Sequence, residues 1–143
     1  MIRSLFIVFI VPLLGAAIVA AACASNERLT VSEYAEFCAD GIASARTLIE
    51  PESVTWGDLV RLGAPSLQRL RAEEPPDELA EFHRASIKTL DFVVGVAEEQ
   101  PAEELANPLA FGLNAVRIAT QLSRAIDALD PSIRATMRRA GCL

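Results

Sequence analysis

Helix punctuation constrains this chain more than any other feature. Thr30 is followed three residues later by Glu33, and Thr55 by Asp58. That spacing lets each hydroxyl accept from a backbone N–H of the first turn, while the acid reaches back to the cap residue. Asn107-Pro108 and Asp130-Pro131 set a capping side chain before a proline, whose missing N–H is harmless in a first turn. Pro51, Glu73-Glu74-Pro75-Pro76 and Pro101 close the intervening segments. Aromatics are few at 6 % of residues, which favours helix over sheet. The chain reads as all-α.

Apolar spacing fills in the elements. Val31, Tyr34, Cys38, Ile42, Ala45 and Ile49 recur at steps of three and four and give a first helix one core-directed face. A second begins near Thr55 and carries Trp56, Leu59, Val60, Leu62, Leu67 and Leu70. Gly63 and Pro65 fall inside it and predict a kink, or two short helices. A third opens at Pro76 with Asp77, Glu78 and Glu81 in its first turns, where the helix dipole favours acids, and runs to Gln100. Ala102 to Ala106 predicts one loose turn. A fourth helix follows Asn107-Pro108, with Leu109, Leu113, Val116, Ala119, Leu122, Ile126 and Leu129 as its apolar series. A short fifth follows Asp130-Pro131 with Ile133 and Met137 inward, Arg134, Arg138 and Arg139 toward its end, and Gly141 as the residue beyond it. The expected architecture is a four-helix bundle with a short fifth C-terminal helix.

A different kind of segment precedes the bundle. Arg3 supplies a positive charge, Leu5 to Ala22 runs for eighteen residues without charge, and Ala20-Ala21-Ala22-Cys23-Ala24-Ser25 closes the run. This is the pattern of a secretory leader. The expected organisation is a signal peptide or membrane anchor over residues 1–24 and an extracytoplasmic domain over 25–143. Three fates follow: cleavage before Cys23 with lipid on its thiol, release by a signal peptidase reading A-x-A at Ala20 or Ala22, or retention as an anchor. An anchor is disfavoured by Pro12 and Gly15, which interrupt the run. Asn26 to Leu29 serves as the tether.

Cysteine arithmetic favours lipid. The chain has three cysteines, Cys23, Cys38 and Cys142, and an exported protein must account for the odd one. With Cys23 acylated, Cys38 and Cys142 form a pair in an oxidising compartment, tying the first helix to the last. The competing reading is two buried thiols. No C-x-x-C occurs, which argues against a redox-active pair.

Leu29 to Cys38, Thr55-Trp56-Gly57-Asp58, Pro75 to His83 and the closing Arg138-Arg139-Ala140-Gly141-Cys142 resemble the corresponding stretches of small exported helical proteins of environmental bacteria. The resemblance covers nearly all of the mature chain and implies the helical fold; it implies no activity.

Chemistry-bearing motifs are sparse. His83 is the only histidine and shares a stripe with Leu79, Ile87, Leu90 and Val94, so it is expected in the core, bonded to the backbone or a neighbouring acid. A carboxylate-bridged di-metal bundle needs two Glu-x-x-His units, and position 80 is alanine. Haem held by His83 and Met137 would lack a C-x-x-C-H attachment. No phosphate-binding glycine loop and no glycine-flanked nucleophile elbow occurs. The pairs Glu73-Glu74, Glu98-Glu99 and Glu103-Glu104 read as solvated surface charge. Neither an enzyme nor a cofactor is expected. The formal charge is −6, or −7 once Arg3 leaves with the leader, which disfavours nucleic acid.

Two readings of function remain. One is a non-enzymatic, lipid-anchored envelope protein whose N-terminus engages the membrane and whose surface engages another envelope protein, with Trp56 and Phe111 as candidate anchors and His83 beside them as a possible ligand or interface residue. The alternative is a soluble carrier or sensor that holds a small apolar ligand between its helices near Gly63 and Pro65.

Overall fold

The computed structural model describes residues 28–48 and 53–143. The leader, Cys23, the start of the tether, Ile49 and Pro51 lie outside the described residues. The fold is all-α: helices α1 (Val31–Leu48), α2 (Trp56–Ala72), α3 (Ala80–Glu98) and α4 (Gly112–Asp127) form a bundle, and the short α5 (Pro131–Ala140) folds back on α1. Single 3-10 turns at Asp77–Leu79 and Pro108–Phe111 lead into α3 and α4.

The caps do what their spacing predicts. Thr30 Oγ1 accepts from the Glu33 N–H, and the Glu33 carboxylate accepts from the Thr30 N–H at 2.8 Å. Thr55 and Asp58 repeat the exchange at 3.1 and 3.2 Å. Asp130 accepts from the Ser132 N–H at 2.8 Å, and Gly141 ends α5 at φ +91°. Each of the three carboxyls is held below the usual carboxylate range: Glu33 chiefly by the Thr30 side chain, Asp58 by Arg61 and then the Thr55 backbone, Asp130 by Ser132.

Two expectations change. First, α2 continues as a single helix through Gly63 and Pro65. Pro65 is exposed, and so is Arg61, the residue whose carbonyl loses its helical partner. Second, Asn107 does not cap α4. It accepts from the Leu109 N–H at 3.0 Å and opens the 3-10 turn, and α4 starts only at Gly112. Gly112 has φ +56° and ψ −157°, a region open in practice to glycine alone, and the chain changes direction there.

The core has two halves. Toward one end, Trp56, Leu59, Leu62, Leu67, Leu90, Val93, Val94, Phe111 and Ala45 pack together. Toward the other, Tyr34, Ile42, Leu79, Phe82, Leu122, Leu129 and Met137 surround the Cys38–Cys142 disulfide, whose Cα atoms are 5.3 Å apart. The pair forms as expected and staples α5 to α1. Arg134 adds a second tie: its guanidinium donates to the carbonyls of Asp127 and Leu129 at 2.8 and 3.0 Å, which satisfies the end of α4.

The tether reaches the same end as the disulfide. Arg28 pairs with Glu74 at 2.9 Å and with Asp77 at 2.6 Å, so the chain enters the bundle beside the α2–α3 turn. Glu74, expected as solvated surface charge, is exposed and pairs there with Arg28.

Candidate interaction surface

The sequence-predicted site residues are not on the surface. Trp56 is 2 % exposed and Phe111 4 %, and their ring centroids lie 5.5 Å apart, with Phe92 5.9 Å from Phe111. Trp56 lies in the core, in keeping with its place on the apolar side of the second helix and not with a role as anchor. Phe111 is corrected from candidate anchor to core: it enters from the 3-10 turn and closes the Trp56 end of the bundle. His83 is also buried, and its Nδ1 lies 3.0 Å from the Tyr34 hydroxyl. Its partner is a phenol rather than the backbone or acid expected. Burial holds the His83 ring below its ordinary pKa, and burial, with Glu73 adding to it, raises the Tyr34 phenol. Both groups are neutral at pH 7, so the phenol can donate to an unprotonated Nδ1 and the pair is satisfied inside the core.

What the surface does carry is an apolar stripe. Leu105 is 62 % exposed, Leu109 77 %, Leu113 90 % and Val116 64 %. Three of these, Leu109, Leu113 and Val116, were expected in the core. Leu109 lies in the 3-10 turn, outside α4; for Leu113 and Val116 the correction follows from helical phase. From Leu113 to Leu122 is nine residues, which at about 100° each is two and a half turns. The two side chains therefore point in opposite directions. The series Leu113, Val116, Ala119, Leu122 advances only in threes, and each such step slips by about 60°. Leu122 and Ala125 are buried, and the N-terminal half of the apolar series faces water.

The stripe has a rigid seat. The loop over residues 102–106 lies against the start of α2: the Trp56 N–H donates to the Glu104 carbonyl at 3.0 Å, the Gly57 N–H to Ala102 at 2.9 Å, and the Ala106 N–H to Val54 at 2.8 Å. The first two satisfy N–H groups that the first turn of α2 would otherwise leave open, and the third ties the loop to the residue before the cap. They hold the backbone on both sides of Leu105. Glu103 and Glu104 stand before the stripe, and Arg117 and Arg124 follow it.

A groove of about 370 Å³ runs between α2 and α3, near Gly63 and Pro65, where a ligand was considered from the sequence. Leu67 and Val94 floor it, and Arg71, Asp91 and Glu98 edge it; Arg71 and Asp91 pair across it at 2.8 Å. It is a charged surface furrow rather than an enclosed apolar space. Among the described residues no group of three His, Cys, Asp or Glu side chains could hold a metal ion, and no helix is long and apolar enough to cross a membrane. No family model, curated protein or solved structure matches this chain.

Proposed function

We propose that this chain is a non-enzymatic extracytoplasmic domain, lipid-anchored through Cys23, that works as a protein-interaction module. The observation that carries the reading is the exposed stripe Leu105, Leu109, Leu113 and Val116. Isolated exposed leucines are ordinary, but four large apolar groups in one short segment, held by backbone bonds and bounded by charges, mark a surface that another molecule covers. Their combined exposure equals about three fully exposed side chains, so covering them contributes on the order of 4–9 kcal/mol before the costs of association.

The charges around the stripe favour protein over lipid as its cover. Glu103 and Glu104 adjoin it and the mature chain carries a formal charge of −7, both unfavourable beside anionic headgroups. The tether enters at the end of the bundle that holds the disulfide, whereas the stripe lies at the end that holds Trp56 and Phe111. The alternative, a carrier of a small apolar ligand, draws less support, because the furrow between α2 and α3 is open and edged by Arg71, Asp91 and Glu98.

The test is a photo-crosslinking residue placed at Leu113 of the full chain in its own envelope, with one at Arg61 on α2 as the comparison. A discrete protein adduct from position 113 and none from 61 supports the reading. Equal, diffuse labelling from both positions contradicts it.

A further inference from the structure

We propose that the groove between α3 and α4 is a further contact surface, one that takes an acidic segment of another protein. The inference rests on the reading of the chain as an interaction module and assigns the chemistry of a partner; it draws nothing from the leucine stripe. The groove holds about 420 Å³. Ala85, Ala125 and Ala128 keep its floor free of bulk, and Arg84, Lys88 and Arg124 line it with a single carboxylate, Glu81. Arg84 engages Glu81 at 3.2 Å, while Lys88 and Arg124 have no ion-pair partner among the described residues. The groove is therefore cationic by two charges, on a mature chain whose formal charge is −7. Placing Arg84 and Lys88 four residues apart on one helix is mildly unfavourable for that helix, and Arg124 brings a third cation across from α4. Carboxylates seated in the groove offset that repulsion.

The layout of the cations favours a peptide segment over a compact anion. Lys88 and Arg124 lie within α3 and α4, where backbone N–H groups are spent on helical bonds. The groove thus offers side-chain cations spaced along it, not the converging amides that cradle a phosphate. Arg84 and Lys88 are separated by about 6 Å along the helix axis. Carboxylates one turn apart on a partner helix have the same spacing, and the alanine floor lets its side chains come close. The groove is also open to solvent, as an added segment requires and an enclosed small molecule does not. Its positive charge on an otherwise acidic surface gives such a partner one place to dock.

Lys88 is the only lysine in the chain, which makes a sharp test available. A carbodiimide joins an amine to a touching carboxylate as an amide with no spacer. Treating intact envelopes that carry the full chain should therefore link Lys88 Nζ to an Asp or Glu of another protein, and mass spectrometry should place that residue within one helical turn of a second acid. Arg124→Glu should lower the yield about three- to tenfold. Arg117→Glu, an equal charge change on α4 outside the groove, should leave it unchanged. Both arginines are exposed, and the Cys38–Cys142 bond, read on a non-reducing gel, reports that each variant has folded. Equal loss in both variants, or loss in neither, overturns the groove as the site. A Lys88 adduct to a phosphate-bearing molecule overturns protein as the ligand, and one only to a second copy of this chain overturns another protein as the partner. No Lys88 adduct, beside a discrete protein adduct from position 113, overturns the acidic segment and leaves the interaction-module reading standing. No adduct from either position overturns both.

Discussion

Removing the disulfide should cost this domain much of its stability. Cys38 and Cys142 are 104 residues apart, and a link closing a loop of that length removes unfolded-chain entropy worth about 4–5 kcal/mol. Both sulfurs are buried, Cys38 at 8 % exposure and Cys142 at 4 %, so replacement by alanine also loses packing around Tyr34 and Met137. The bond matters structurally because α5 has only ten residues, too few to be helical alone, and Met137 is its one fully buried side chain. For a domain of this size each kcal/mol moves the midpoint by about 4 °C, so Cys38→Ala with Cys142→Ala should unfold about 15–20 °C below the parent. The assay is thermal unfolding of the mature chain followed by circular dichroism, with amide exchange of residues 131–140 as the local readout. Those amides should lose protection first. A midpoint drop under about 5 °C would refute the reasoning, since neither loop entropy nor the docking of α5 could then depend on the bond.

Other outcomes follow from the same geometry. Leu113→Ser should change stability by less than about 0.5 kcal/mol, whereas Leu122→Ala should cost about 2–4 kcal/mol; denaturant unfolding separates them. Gly112→Ala should cost about 1–3 kcal/mol by straining a backbone conformation that only glycine adopts readily, and the same unfolding curves read it. Stability should also fall with acid in two windows. His83 has a folded pKa below its ordinary 6.5, so the unfolded chain binds the proton first and stability declines as pH drops through about 6.5; His83→Gln should flatten that step. Glu33, Asp58 and Asp130 have depressed folded pKa values, so the stability they contribute is complete above about pH 5 and is lost as pH falls below about 4.

The sequence carried much of the fold because helix ends are written locally. Thr30 with Glu33, Thr55 with Asp58, and Asp130 with its following proline each satisfy backbone groups within one turn, so spacing alone locates them. The disulfide was legible from the cysteine count once Cys23 was set aside as a candidate for lipid. What failed was phase and direction. Leu113 and Val116 were grouped with Leu122 because apolar residues recurred at allowed steps, yet a run of threes rotates away from the core, and that rotation could have been counted. Pro65 predicted a break, but whether a proline disrupts a helix depends on which side its ring occupies, and that is set by packing. Phe111 became core only because the 3-10 turn and Gly112 re-aim the chain, a change no periodicity announces. Arg28 with Glu74, and Arg134 with the end of α4, join segments through tertiary contacts, which single-chain spacing does not encode.

One measurement bears on the tether, the disulfide and the stripe together: native mass spectrometry of the protein extracted gently from its own envelope, followed by a denatured, non-reduced run. The account predicts a chain that begins at acylated Cys23, is two hydrogens light and carries no small-molecule adduct. A single unlipidated chain carrying a stoichiometric small molecule, released on denaturation, would contradict it.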